Sequence, residues 1–222
     1  MGFREVDLFR KNLLSHVFSK SNSWTPYTLE DLTLPKIGLI RGPFGGALKK
    51  EDFVDHGYKV YEQKNAIQGS TEPGRYYITP NKYRSLKRFA LKPNDFIVSC
   101  SGTIGKIFRM PNNFEKGIIN QALLIMRLNQ NIIDLDYFEH YFKQNSFQKS
   151  IIDDTQGGAM KNLVSMAEFK QKIIYCPELE LQRKIATIFN NIDMKLKFLN
   201  KKTEKVENLK QAMMQDLLDS EL

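Results

Sequence analysis

The 222-residue chain is 41% hydrophobic and 11% aromatic, the make-up of a globular protein with one sizeable core plus an appendage. Its 33 basic residues outnumber 25 acidic ones, giving a net charge of +8 and a pI near 9.3, so an anionic polymer is a fitting partner. No membrane span is expected, because the longest central apolar run, ALLIM at 122–126, is far short of one. The charged start, MGFREVDLFRKNLL, lacks the uninterrupted apolar stretch of a secretory signal, which leads to the expectation of a cytoplasmic protein.

Residues 3–19 have the spacing of a short amphipathic helix, with Val6, Phe9, Leu13 and Val17 on one face. SKSNSWTP (19–26) is a polar, Pro-terminated break. From Trp24 to Pro177 short β-like runs alternate with glycine and proline turns: KVYEQ (59–63), RYYIT (75–79), DFIVSC (95–100) and ALLIMRL (122–128). DLDYFEHYFKQNSFQKSII (134–152) is the one clear helix in this region. Asp134 is placed to cap it, and Leu135, Phe138, Phe142 and Phe147 form its expected buried face. FKQKIIYCP (169–177) again has the pattern of a strand. Cys100 and Cys176 both lie in apolar contexts, as buried thiols of a reducing compartment do. His16, His56 and His140 have no second Cys or His at ligand spacing, so neither a metal nor another cofactor is expected.

SCSGTIGKIF (99–108) raises the possibility of a phosphate loop. Only two residues separate Gly102 from Gly105, and Ile107 follows Lys106 where a phosphate loop needs Ser or Thr. The stretch fits better as two strands joined at a glycine pair. Upstream, RYYITPNKYRSLKRFALK (75–92) holds six basic residues and no acid, interleaved with Tyr76, Tyr77, Tyr83 and Phe89. Such clustering is the footprint of phosphate contact, although about half of these aromatics are expected to belong to the core.

After Pro177 neither proline nor glycine occurs up to Ser220. Ile185, Ile192, Leu199, Val206 and Met213 recur every seven residues, as in a coiled coil. The companion seam reads Ile188, Lys195, Lys202, Leu209 and Asp216, with Phe189, Leu196 and Leu217 filling in one residue later. About 40 helical residues make a rod of roughly 60 Å, too long to hide its stripe on a body of roughly 30–40 Å, so it needs a second helix. LFRKNLLSHVFSK (8–20) and NLKQAMMQDLLDS (208–220) echo one another in spacing, which fits either chance or two ends of one kind of helix.

Together these stretches resemble the DNA specificity subunits of type I restriction-modification enzymes. GPFGGALKKEDF (42–53) with GYKVYEQKNAIQG (57–69) resembles the opening of their target-recognition domain. KPNDFIVSCSGTIGKIFRMP (92–111) with NQALLIMRL (120–128) resembles that domain's strand–glycine–strand core, and GGAMKNL (157–163) its late glycine loop. PELELQRKIATIFNNID (177–193) resembles the start of the long helix, with Gln182, Ile185 and Asp193 in place. Two departures stand out. Family members commonly carry two recognition domains and two helices, where this chain has one of each. Glu178 and Leu181 occupy positions where a second Pro and a Glu are frequent.

The resemblance implies an α+β chain: an N-terminal helical segment (1–23), a β-rich target-recognition domain (24–177), and a long coiled-coil-like spacer and dimerisation helix (178–222). It implies no catalytic role, no cofactor, and three kinds of partner: double-stranded DNA, a second copy of the chain, and methyltransferase and restriction subunits. No Asn/Asp-Pro-Pro-aromatic motif for adenine methylation is present. Lys49, Lys50, Arg75, Lys82, Arg84, Lys87 and Arg88 are the residues expected on phosphates and bases, and Gln63, Asn65, Lys161 and Asn162 those expected at base edges. The spacer seam comprises Ile185, Ile188, Ile192, Leu196, Leu199, Val206, Leu209 and Met213, and Asp at 192 and 199 would be expected to give monomers. Two rivals remain open. Glu62-Gln63-Lys64 with Asp52 or Asp55 has the acid…acid-x-Lys form of a metal-dependent nuclease, and a coiled-coil scaffold would show no sequence preference.

Overall fold

The computed structural model describes residues 2–19, 23–153 and 162–220. In chain order the elements are α1 (Phe3–Ser19), β1 (Thr25–Thr28), β2 (Leu39–Arg41), β3 (Phe53–Val54), β4 (Tyr58–Tyr61), α2 (Gln63–Gln68), β5 (Tyr77–Ile78) and α3 (Pro80–Ser85). There follow β6 (Phe96–Ser99), β7 (Ile107–Arg109), β8 (Gly117–Ile119), β9 (Leu123–Met126), α4 (Leu135–Phe142), α5 (Asn145–Ser150) and β10 (Ile152–Asp153). The last are β11 (Asn162–Leu163), α6 (Met166–Lys170), β12 (Ile173–Cys176) and α7 (Leu179–Ser220). This is an α+β protein with a long C-terminal helix.

The central sheet runs β2-β9-β6-β7, antiparallel throughout. Its two inner strands, FIVS and LLIM, are buried on both faces, which is why they are unbroken apolar runs rather than alternating ones. The period of two divides each strand between two cores. Phe96, Val98, Leu124 and Met126 face a helical layer containing Phe18, Phe138, Phe142 and Phe189. Ile97, Leu123 and Ile125 face Ile40, Tyr61 and Ile119. Each fully buried large side chain of this kind contributes about 1.5–3 kcal/mol. A second sheet, β3-β5-β4-β8, backs the latter core, with β4 and β8 parallel. Strands β1 and β12 pair antiparallel, Thr25 opposite Cys176, and so join the start of the body to the start of α7.

The glycine pair behaves as turn chemistry requires. Gly102 and Gly105 have φ of +63° and +74°, and a Cβ on Gly105 would overlap the Gln148 side chain. The Ser99 hydroxyl donates to the Thr103 carbonyl at 2.6 Å and accepts from the Lys106 amide at 2.9 Å, closing the β6–β7 hairpin. Both cysteines are free and buried, and burial pushes each thiol up to about 12.

Several local expectations are corrected. Residues 134–152 form two helices, because Gln144 is extended (ψ 145°) and the Gln148 amide caps α4 by donating to the Phe142 carbonyl at 2.7 Å. Asp134 does cap α4, accepting from the Asp136 and Tyr137 amides at 3.0 Å each. The stretch 169–177 begins as the end of α6, capped by Ser165, and is a strand only from Ile173. On α1 the buried ridge is Val6, Leu14 and Phe18, with Leu13 and Val17 packed beside it, whereas Phe9 faces outward. The ridge has turned because Arg10 pairs with Asp193 of α7, and Phe18 sits among the rings of Trp24, Tyr137, Tyr141 and Phe189.

Among the described residues helix α7 touches the body through its first five turns only. Gln182, Ile185, Ala186, Phe189 and Leu196 are buried, whereas every residue from Asn200 to Gln215 is exposed. Among the described residues no helix is long and apolar enough to cross a membrane.

Candidate nucleic-acid interface

Two zones, at opposite ends of the central sheet, collect the residues that could meet a polyanion. The first lies where β2 and β6 end and β9 begins. Gly42 packs so closely on Asn120 that a Cβ would overlap its carbonyl, which holds the following loop in one place. The Asn120 side chain accepts from the Ala122 amide at 3.1 Å, and the Ala122 carbonyl accepts from the Cys100 amide at 2.9 Å. Gln63, in the first turn of α2, donates to the Thr103 carbonyl at 3.4 Å. Asn162 is exposed and bridges antiparallel to Ser101. The loops at 42–46, 99–106 and 120–122, the start of α2, and β11 therefore converge at one end of the central sheet. Gln63 and Asn162 meet the same glycine turn. Lys161 lies outside the described residues.

At the same end Phe44 is 65% exposed, with the Arg41 guanidinium 5.7 Å from its ring centroid. Neither residue stood out in the sequence, although both lie within or beside the GPFGG stretch. Arg75 is exposed, its guanidinium 5.5 Å from the Tyr76 ring centroid, and it feels the charge of Glu62.

The second zone is a cleft of about 480 Å³ whose cationic walls are Lys36, Lys87, Arg88 and Lys92, over Ile37, Ile40, Tyr83 and Leu91. None of those four cations forms an ion pair with an acid among the described residues. Lys36 adopts φ +65°, a conformation non-glycine residues rarely hold. Beneath them Arg127 and Asp95 form a buried pair whose remaining donors hold both walls: Nη2 to the Ala90 carbonyl at 2.6 Å and Nη1 to the Ile37 carbonyl at 3.2 Å. Lys36 does not stand out in the sequence because it lies 39 residues before Arg75, the first cation of the basic run it joins.

Other expected contacts are placed differently. Asn65 is fully buried: its Oδ1 accepts from the Glu62 amide at 2.8 Å, and Nδ2 donates to the Ser70 and Pro73 carbonyls at 3.1 and 2.6 Å. It is a capping residue and presents nothing to a base. Lys82 is paired with Asp52 at 2.8 Å, so much of its charge is spent internally. Lys49 pairs with Glu51 at 3.3 Å in an exposed contact, and Lys50 is exposed. Arg84 bonds the Asn81 side chain. The aromatics of the basic run are structural: Tyr83 stacks on Tyr58 with centroids 3.8 Å apart, and Tyr76 on Phe53 at 4.5 Å.

Two acids of the nuclease alternative, Asp52 and Glu62, are otherwise engaged. The Asp52 carboxyl, bonded by Lys82 and by the Lys49 amide, sits below the usual carboxylate range. Glu62 opens α2 and pairs with Lys64 at 3.1 Å. Among the described residues no group of three or more His, Cys, Asp or Glu is placed to hold a metal ion.

Residues 40–208 match the family described as the type I restriction modification DNA specificity domain, and the chain belongs to that family. It is 26% identical over 222 residues to a putative type I restriction enzyme MjaX specificity subunit of Methanocaldococcus jannaschii, an alignment covering 97% of this chain and 49% of that protein. The HsdS subunit from Thermoanaerobacter tengcongensis has the same fold, with a TM-score of 0.68 at 15% identity over 96% of this chain and 50% of that one. A chain from a type I R-M system, solved for its complex assembly and conformational transition, gives a TM-score of 0.69 at 14% identity over 95% and 50%. The chain thus spans about half the length of the curated relative and of both structures.

Proposed function

We propose that this chain is a non-catalytic reader of duplex DNA, the specificity component of a type I restriction-modification complex acting in the cytoplasm. The observation that carries the reading is the convergence of three loops, the start of α2 and β11 at one end of the central sheet, with a cleft at the opposite end walled by four cations that form no ion pair among the described residues. Cations near phosphates supply affinity and register, whereas polar side chains on fixed loops supply base discrimination. Gln63 and Asn162 are the proposed base-edge residues, and Lys36, Lys50, Arg75, Lys87, Arg88 and Lys92 the proposed phosphate contacts.

The exposed half of α7 supports a second element of the reading: two copies pair through their rods and present two recognition bodies to a split site. Identical bodies related by a twofold would read half-sites of matching symmetry. Methyltransferase and restriction subunits would then supply the chemistry. The test is selection of duplexes from a random library by the purified chain. A short motif bound about 10³-fold or more above random duplex is expected; a recovered pool no different from the input would sink the proposal.

A further inference from the structure

Where the rod meets the body, hydrogen-bonding side chains interrupt the apolar contacts of α7. Gln182, almost fully buried, accepts from the Asp134 amide at 2.8 Å through Oε1. Its Nε2 donates to the carbonyls of Ile132 and Pro177 at 3.0 and 2.8 Å. Two turns on, Asn190 reaches α4 twice. Its Oδ1 lies 2.9 Å from His140 Nε2, and its Nδ2 donates to Asp136 Oδ2 at 2.9 Å. The other Asp136 oxygen takes Arg109 of β7 at 2.7 Å. One turn further, Asp193 receives both arms of Arg10 from α1, the longer at 3.1 Å. The rod is therefore tied at three successive levels to the cap of α4, to the central sheet and to α1.

Apolar contact alone would hold the rod without fixing how it points, because the hydrophobic effect has no direction. The Phe18–Phe189 stack and the buried Ile185 and Ala186 provide that adhesion. Hydrogen bonds and forked arginine–carboxylate pairs weaken steeply when misaligned, so they convert adhesion into a single orientation. The angle has large consequences. From Leu196 to Ser220 the rod runs on for roughly 36 Å, so a tilt of about 5° moves its end by roughly 3 Å. That displacement is close to the rise of one base pair, about 3.4 Å.

We infer that Asn190, backed by Gln182 and Asp193, is a positioning residue that fixes the angle between rod and recognition body and thereby selects the spacing between half-sites. The spacing role rests on the DNA-reading function proposed above; the fixed angle does not.

Two measurements test it. Spin labels on Asn113→Cys and Lys205→Cys report the body-to-rod distance by pulsed EPR, with the labelled chain diluted in unlabelled chain. The native thiols are buried and protonated at neutral pH, so they do not compete for the label. One narrow distance is expected in the parent, and a broadened or shifted one in Asn190→Ala. Arg10→Met, which releases Asp193 and leaves the apolar contacts in place, is read in the same way should Asn190→Ala fail to fold. An unaltered distribution in a folded variant overturns the inference. In the second measurement, the spacing between selected half-sites is stepped one base pair at a time. The parent should favour one spacing by about tenfold over its neighbours and Asn190→Ala by less than about threefold, since each step displaces and rotates one half-site. Equal discrimination by the two proteins overturns the spacing role. A parent indifferent to all sequences overturns the DNA reading with it, and the EPR distances still decide whether the angle is fixed.

Discussion

The Arg127 guanidinium forks onto the Asp95 carboxylate beneath the cationic cleft, with Nε 2.9 Å from Oδ1 and Nη2 3.0 Å from Oδ2. Both side chains are buried. Burial pushes the Asp95 carboxyl above its ordinary value, and the charge and hydrogen bonds of Arg127 pull it back. The pair joins β6 to β9 and, through the Ala90 and Ile37 carbonyls, sets the separation of the cleft walls. Its role is architectural, and it places Lys36 opposite Lys87 and Arg88.

Removing one partner of this pair should cost more than removing both. Arg127→Met leaves a carboxylate buried without its counter-charge and two carbonyls without donors, a loss of about 3–5 kcal/mol. The double variant Arg127→Met/Asp95→Leu should recover part of that loss. Urea titrations of the two variants check this, and equal destabilisation would show that the two charges do not depend on one another.

The salt dependence of DNA binding separates free cations from paired ones. Lys87→Ala and Arg88→Ala should each lower the slope of log K against log salt by about 1, the release of one phosphate contact's counterion. Lys82→Ala should change it far less, because Asp52 already holds that ammonium. Its main effect should be a modest loss of stability from freeing α3.

His140 should make stability fall in mild acid. The ring is buried, and Nε2 donates to Asn190, which leaves Nδ1 unprotonated and without a hydrogen-bond partner, 3.9 Å from Asp193. Burial lowers its pKa below the ordinary 6.5, against the opposing pulls of Asn190, Asp193 and Glu139 and with the help of Arg10. In the window below 6.5 the unfolded chain therefore binds a proton that the folded chain refuses, so stability is lost as pH drops. For one group the slope is at most about 1.4 kcal/mol per pH unit. His140→Gln should flatten the unfolding free energy between pH 6.5 and 5, and an unchanged profile would exclude His140 as its source.

Asn65 marks the limit of what one sequence discloses. The strand–glycine–strand core was legible because Gly102 and Gly105 punctuate two apolar runs, and Asp134 because a cap is a local device. The rod was legible in its seven-residue period. The pattern did not reveal which face of a helix the body takes. Arg10 lies on the buried ridge of α1 only because Asp193, far along the chain, meets it. Likewise Asn65 sits beside Gln63 in a basic, polar stretch, and composition cannot tell an amide turned inward to close a loop from one turned outward to read a base. Lys36 joins Lys87 and Arg88 through tertiary folding alone.

Exchanging Asn65 therefore tests structure rather than recognition. Asn65→Ala leaves the Glu62 amide and the Ser70 and Pro73 carbonyls without their partner, each group costing about 1–3 kcal/mol when buried unsatisfied. The variant should lose thermal stability while any folded fraction keeps the parent's sequence preference. Gln63→Ala should do the reverse, altering the selected motif at little cost in melting temperature.

The rod contains two kinds of apolar position, and association should depend on only one. Ile185 and Leu196 are buried within the chain, and Ile192 packs against the main core, so these members of the spacer seam are not available to a partner. Aspartate at 192 would set a charge against the chain's own core and destabilise the body, which makes it unsuitable as a test of pairing. Ile188, Val206, Leu209 and Met213 are the opposite case, each more than half exposed, and Leu199 lies between the two groups. An exposed apolar row on a helix that has left its own body is covered by nothing among the described residues, and a second helix would supply that cover. Leu209→Asp/Met213→Asp should consequently give a folded monomer by sedimentation, with near-ultraviolet circular dichroism and melting of the body unchanged. It should also weaken binding to the split site far more than binding to one half-site. A dimer that survives both substitutions would place the association surface elsewhere on the molecule.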